Sequence, residues 1–304
     1  MKTAVIRFSA LGDIAYTIPF LRALKTRPIF ITTAMGRELL KDELDEFLIL
    51  KSKRLPDVWS LVRQIRKQRF DVLIDLQNND RSWAMDSLSG ARQKFTNKGM
   101  PRGVPTFDNM MRILTPSGLL GELDTRFEPK PRNYIVLNTG SSAKWASKRL
   151  PDHKWQEFAM ILIDRYNLPF VLTGSPDETD YVSALAKNLP GEIRNMAGKT
   201  SLQELKHLLG GAFLTVSTDS AAMHISAAMK TPTIGLFGAT NWVRSAPLGP
   251  WATILYDRTV YPDGQPPVPN IKAPGLYYNQ IDFCDGLDQI SYFLDQKPPQ
   301  NSVL

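Results

Sequence analysis

The run Val216-Ser-Thr-Asp-Ser-Ala-Ala-Met-His224 sets Thr218, Asp219 and Ser220 between a buried-type strand and the start of a helix. Free N–H groups at a helix start, together with the helix dipole, favour an anion such as a diphosphate. Asp219 and Ser220 are also good N-cap residues, so capping alone is the competing explanation. His224 follows Ser220 by one helical turn on the same face, as a structural hydrogen-bonder or as a ligand-facing group. A second loop, Thr139-Gly-Ser-Ser142, ends another strand with small hydroxyl residues, and Gly140 permits close backbone approach. Lys148 follows, just before Arg149-Leu-Pro-Asp-His-Lys-Trp155, and a lysine there can neutralise a phosphate as a point charge.

Asp13 follows Gly12 after the first strand and opens the first helix. The helix N-terminus favours its ionised form, and the position suits a general base as well as a cap. Other chemistries lack their residues. No G-x-x-x-x-G-K-[ST] or G-x-G-x-x-G run is present, which excludes a P-loop NTPase and argues against a standard dinucleotide oxidoreductase. There is no G-x-S-x-G elbow for a hydrolase. Without an Asp-x-Asp run, and with one cysteine, Cys284, and three histidines, no catalytic metal is expected.

These loops need elements to hold them. Seven strands are expected, at 3–8, 28–33, 72–76, 134–138, 169–173, 213–217 and 233–237, alternating with helices near 18–24, 36–46, 57–68, 151–166, 177–188, 202–209 and 221–229. That alternation predicts an α/β fold of two Rossmann-like, doubly wound parallel-sheet domains, whose ligands bind outside the carboxyl ends of the strands. Pro19 suits a first helical turn. The proline-rich run Glu128-Pro-Lys-Pro-Arg132 marks the boundary. Residues 1–131 form one domain, 132–278 the other, and 279–304 a C-terminal helix and tail, the helix expected over 280–296.

The 304 residues are 43% hydrophobic and 22% charged, enough for about two cores. No apolar run is long enough to span a membrane, and Arg7 and Asp13 interrupt any signal-peptide core, so a cytoplasmic protein is expected. The net charge of +7 is uneven: residues 1–133 hold 23 Lys and Arg against 15 Asp and Glu, and the rest hold 14 against 15. A basic first half suits an anionic partner or a solvated surface. Arg63, Arg66 and Lys67 share one helical face, with Lys51, Lys53 and Arg54 upstream. No aromatic stacking platform or nucleic-acid module accompanies them, so no nucleic-acid partner is expected.

Taken in order, Arg7-Phe-Ser-Ala-Leu-Gly-Asp13, Phe70-Asp-Val-Leu-Ile-Asp-Leu-Gln77, Thr139-Gly-Ser-Ser142 with Lys148-Arg-Leu-Pro151, Gly198-Lys-Thr-Ser-Leu202, Asp219-Ser-Ala-Ala-Met-His224 and Leu236-Phe-Gly-Ala-Thr240 resemble glycosyltransferase family 9, the ADP-heptose:lipopolysaccharide heptosyltransferases. The resemblance implies a GT-B architecture: two Rossmann-like domains facing across a cleft, with a C-terminal helix returning to the first. It implies an inverting, metal-independent transfer of heptose from ADP-heptose to the lipopolysaccharide inner core, with no cofactor beyond the ADP-sugar donor. Asp13 would be the base. Thr139, Ser141, Ser142, Lys148, Asp219, Ser220, Ala221 and His224 would hold the donor, with Glu178 at the ribose and Thr200 at the adenine. Arg63, Arg66 and Lys67 would meet the anionic glycolipid acceptor, and the basic half would attach peripherally to the cytoplasmic face of the inner membrane. Two departures from the family pattern stand out: Ala221 replaces a glycine, and Asn78-Asn79 replace the glycine after the Asp-Leu-Gln strand. A subgroup with cysteine-bound iron does not fit a chain whose one cysteine is Cys284. The competing expectations are a GT-B transferase using another nucleotide sugar, and a non-catalytic module that binds nucleotide sugars or polyanions.

Overall fold

A computed structural model describes residues 1–99, 104–129, 132–141, 143–273 and 275–296. The chain divides into two compact units, Met1–Asp124 and Thr125–Leu304. The start of the second unit has a packing cause. Phe127 lies edge-on to Phe293 at 5.0 Å and against Trp251 at 6.2 Å, and Lys230 Nζ donates to the Arg126 carbonyl.

In the first unit, β1 (Thr3–Ile6), β2 (Ile29–Thr32), β3 (Phe47–Ile49), β4 (Val72–Asp75) and β5 (Gln93–Thr96) form a sheet in the order β3-β2-β1-β4-β5. Every pairing is parallel. The second unit holds β6 (Ile135–Asn138), β7 (Phe170–Thr173), β8 (Ile193–Asn195), β9 (Leu214–Thr218), β10 (Thr233–Leu236) and β11 (Ala252–Leu255) in the order β11-β10-β9-β6-β7-β8, again all parallel. In each sheet the direction of winding reverses beside the first strand, between β1 and β4 and between β6 and β9. Such switch points leave a crevice at the strands' carboxyl ends.

The seven strands expected from sequence are the inner ones. The four that sequence patterning passes over, β3, β5, β8 and β11, are the edges of the two sheets. Each edge strand is largely half-buried or exposed, whereas the inner strands are buried at every position. Edge strands lack the continuous apolar run that marks a central parallel strand.

Two helices also differ from expectation. The first helical region is split at Thr17 into Leu11–Tyr16 and Ile18–Ala23, and the Thr17 hydroxyl donates to the Ile14 carbonyl at 2.6 Å. Pro19 occupies the first turn of the second piece, where it lacks no bond. The C-terminal region forms two short helices, Phe283–Gln289 and Ser291–Leu294, in place of one long one. Phe283, Leu287, Ile290 and Leu294 are buried in the second unit's own core. Phe283 stacks on Phe158 with centroids 4.2 Å apart, a pairing worth about 0.5–1.5 kcal/mol beyond the area buried. Gly286 lets this helix approach β11, since a Cβ there would stand 2.5 Å from Leu255 Cδ1.

Candidate functional site

In the second unit the polar loops gather at the carboxyl ends of β6, β7 and β9. Asn138, the last residue of β6, donates from Nδ2 to Ser217 Oγ (3.2 Å) and Ser220 Oγ (3.0 Å), while its Oδ1 accepts from Thr173 Oγ1 (3.0 Å). One carboxamide thus ties three strand ends together. Thr218 Oγ1 donates to the Gly140 carbonyl at 2.7 Å and fixes the β6 loop against the β9 loop.

Capping is not what the β9 loop residues do. Ser220 has the backbone position of an N-cap before the helix Ala221–Ala228, but its side chain makes no capping bond. Its hydroxyl is held by Asn138 and Ser217. Asp219 instead pairs with Lys148, whose Nζ lies 2.9 Å from the carboxylate and 3.0 Å from the Asp219 carbonyl. Side-chain capping therefore leaves the first N–H groups of this helix available to an anion. Both partners of the ion pair are shielded, with Lys148 19% and Asp219 11% exposed. Ala221 opens the helix and His224 is buried within it. Thr139 is fully buried, and its hydroxyl has no hydrogen-bond partner among the described residues.

Ser141 Oγ donates to the Trp145 carbonyl at 2.7 Å, and the Arg149 guanidinium holds the Ser141 carbonyl. Ser142, named from sequence beside it, lies outside the described residues. Glu178 is brought to the same edge: its Oε2 accepts the Ser175 N–H at 2.7 Å, and a Cβ on Gly140 would stand 2.6 Å from its Cδ. A larger residue at 140 would have to displace this carboxylate from beside the β6 loop. Thr200 is half-buried in the loop after β8, which Gly198 docks on the β7 loop through its N–H to the Gly174 carbonyl (3.0 Å).

The first unit presents Asp13 at the carboxyl end of β1. Its Oδ2 accepts the Ala10 N–H at 2.8 Å and pairs with Arg7 Nη2 at 2.9 Å. The carboxylate does cap the helix start, yet its side chain is 39% exposed and so accessible to a substrate. Arg7 is nearly buried and also donates through Nη1 to the Leu76 carbonyl. Gln77 Oε1 accepts the N–H groups of Phe8 and Ser9, each at 2.9 Å, and its Nε2 donates to Ser9 Oγ. The loop from β4 thus grips the loop carrying Asp13. Below it Asp75, fully buried, accepts the N–H groups of Gln77 and Asn78 on Oδ1. Burial pushes the Asp75 carboxyl up to about 6.

Arg63, Arg66 and Lys67, expected from sequence to meet the acceptor, lie on one helix of the first unit. The helix Leu55–Gln68 starts after the carboxyl end of β3 and returns to the amino end of β4. Arg66 and Lys67 are in its last turn, and the neighbouring Gln68 accepts from Lys2 at the head of β1. Arg63 is in the same half, and all three are exposed. They sit away from the edge that carries Asp13. The cations placed at that edge are Lys51, Lys53 and Arg54 in the β3 loop, and Arg81, whose Nε donates to the Lys53 carbonyl at 3.3 Å.

Arg7, Gln77 and Asn138 carry no role in the sequence reading, although each is a polar residue closing a buried strand or following it by one or two positions. Lys272 is a further omission. The segment before it docks on the donor loops through Ser147 Oγ to the Ile271 carbonyl (2.9 Å) and Ile271 N–H to the Ala239 carbonyl (2.8 Å). This sets Lys272 Nζ 5.4 Å and Lys148 Nζ 5.3 Å from the Trp145 ring centroid. Among the described residues no group of three or more His, Cys, Asp or Glu side chains could hold a metal ion.

Two parallel sheets of five and six strands with these loops at their carboxyl ends define an α/β protein with the fold seen in GT-B structures. Residues 120–265 match the model of glycosyltransferase family 9 (heptosyltransferase). It is 34% identical over 113 residues to lipooligosaccharide heptosyltransferase 2 of Haemophilus influenzae, covering 36% of this chain and 32% of that one. The structure of E. coli ADP-heptose lps heptosyltransferase II superposes with a TM-score of 0.72 at 20% identity, over 97% of this chain and 98% of that one. That of E. coli heptosyltransferase WaaC with ADP gives 0.67 at 17% identity, over 84% and 92%. The chain spans about a third to two thirds of the length of the curated relatives it matches first.

Proposed function

We propose that this chain is an inverting, metal-independent glycosyltransferase that moves heptose from ADP-heptose to the inner core of lipopolysaccharide. The observation that carries the proposal is the Lys148–Asp219 pair beside a helix start whose side-chain caps are engaged elsewhere. A shielded cation at a set of uncommitted backbone N–H groups is a diphosphate site rather than a capped turn. The relative crystallised with ADP supports that nucleotide.

In the proposed reaction the Asp13 carboxylate takes the proton of an acceptor hydroxyl. The hydroxyl oxygen attacks the anomeric carbon as the bond from that carbon to the β-phosphate oxygen breaks, and its electron pair leaves with ADP. Lys148 and the N–H groups around Ser220 and Ala221 meet the charge that accumulates on the departing diphosphate, the largest catalytic term expected here. Thr139, Ser141, Ser142 and His224 complete the donor pocket, with Glu178 at the ribose and Thr200 at the adenine. Lys53, Arg54 and Arg81, at the edge that carries Asp13, are the cations suited to the acceptor's anionic groups.

Thermal unfolding with ADP, UDP and GDP tests the donor half. A specific ligand stabilises by RT ln(1 + [L]/Kd), so ADP should raise Tm well above the other two. Equal shifts, or none, would remove the ADP-sugar assignment.

A further inference from the structure

The proposed donor site has more anion to hold than positive charge to hold it. Lys148 enters it already paired, 2.9 Å from the Asp219 carboxylate, so the two together bring no net charge. The start of the helix Ala221–Ala228 adds the equivalent of roughly half a positive charge. A sugar joined to a nucleoside diphosphate carries a negative charge on each phosphate. A further cation stands at the same loops. Lys272 belongs to the proline-rich stretch 262–275, yet the chain is clamped on both sides of it. Ahead of it, Asn270 Oδ1 accepts the Asn241 N–H at 2.9 Å. Ile271 is held at both ends, its N–H by the Ala239 carbonyl and its carbonyl by the Ser147 hydroxyl. Behind it, the Ala273 carbonyl accepts from the Tyr277 hydroxyl, and the buried Tyr278 donates to the Lys148 carbonyl, each at 3.1 Å. A Cβ on Gly238 would stand 2.6 Å from Tyr277 Cβ, so the segment lies directly on the loop after β10. These fastenings set Lys272 Nζ 5.4 Å from the centroid of Trp145, the ring that also carries Lys148 Nζ at 5.3 Å. An ammonium within about 6 Å of an indole is attracted by the ring quadrupole. Trp145 is itself fixed through its carbonyl, which accepts from Ser141. Lys148 is balanced by Asp219, whereas Lys272 is exposed and makes no hydrogen bond or ion pair among the described residues.

We propose that Lys272 is a second phosphate-binding cation of the donor site, reaching the diphosphate from the segment after β11 while Lys148 reaches it from the loop after β6, with Trp145 as the ring that aligns the two ammoniums. The inference rests on the donor reading above and adds to it the residue that tells a diphosphate from a monophosphate. Lysine binds phosphate as a point charge on a flexible stem, so a clamped backbone is enough to bring it within range. A cation with no carboxylate to balance it also meets the charge that grows on a departing nucleoside diphosphate.

The test is titration calorimetry of the full chain with ADP and with AMP, at low and high salt. Lys272→Ala should raise the Kd for ADP about tenfold, the loss of one charged hydrogen bond, and leave AMP nearly unaffected. The deficit should narrow at high salt, where an exposed ammonium is screened. Lys272→Arg keeps the charge and should bind ADP nearly as the parent does. Lys187→Ala removes an equal charge from an exposed site that follows the helix Thr179–Ala186, toward the amino end of β8, and should leave ADP binding unchanged. Both lysines are exposed, so Tm should be the same for every variant. Parent-like ADP affinity in Lys272→Ala, an equal loss in Lys187→Ala, or equal losses for ADP and AMP would each overturn the second cation while leaving the donor reading in place. A parent without affinity for ADP would overturn the donor reading, and this inference with it.

Discussion

Lys148 Nζ sits 2.9 Å from Asp219 Oδ2 and 3.0 Å from the carbonyl oxygen of the same residue, so one ammonium group closes the β9 loop on both its side chain and its backbone. The lysine comes from the loop after β6 and the aspartate from the loop after β9, the two strands at the switch point of the second sheet. The pair fixes the loop geometry beside the proposed diphosphate site.

Lys148→Ala should therefore weaken ADP more than it weakens the fold. Losing a charge-assisted hydrogen bond costs about 1.5–3 kcal/mol, roughly a tenfold to hundredfold rise in Kd. Titration calorimetry with ADP measures it. A Kd within twofold of the parent would place the diphosphate elsewhere.

Gln77 holds two backbone N–H groups of the loop carrying Asp13. Gln77→Ala leaves those donors without their acceptor, at a cost of about 1–3 kcal/mol in stability. Turnover should fall while ADP affinity stays unchanged, because the proposed nucleotide site lies in the other unit. A drop in both, measured by steady-state kinetics and calorimetry, would mean that Gln77 acts on the whole fold instead of on the base.

How much of this was legible in the sequence divides along a physical line. Inner strands such as Val72–Asp75 and Ile135–Asn138 are buried at every position and begin with three apolar residues in a row. Gln93–Thr96 at a sheet edge reads as loop because water reaches it. Loop residues were legible where composition alone carries chemistry, as in Thr218-Asp219-Ser220. Arg7 and Gln77 were not, since their meaning lies in reaching a chain segment 68 or 69 residues away. For the basic run at 63–67, spacing puts the charges on one face, and the direction of the helix between β3 and β4 adds which edge of the sheet they lie nearer.

Asp75 gives a pH signature of its own. Burial raises its folded-state value from 3.8 to about 6, so between those limits the folded chain binds more protons at this group than the unfolded chain does. Its contribution to stability is full below about pH 4 and is lost as the pH rises through about 6, an effect of roughly 3 kcal/mol. Asp75→Asn keeps an oxygen for the Gln77 and Asn78 N–H groups and removes the titration. The stability of the variant relative to the parent, from denaturant unfolding at several pH values, should climb between pH 4 and 6 and level off above. A difference that does not change with pH would show that Asp75 stays ionised in the fold.

The most direct measurement is transfer from ADP-heptose to a heptose-deficient lipopolysaccharide core by Asp13→Asn, alongside its affinity for ADP. The substitution keeps the size of the side chain and removes the proton acceptor. The expected result is ADP affinity equal to the parent with transfer reduced by about a hundredfold or more. Transfer at the parent rate would contradict the assignment of Asp13 as the base, and no transfer by the parent itself would contradict the assignment of the reaction.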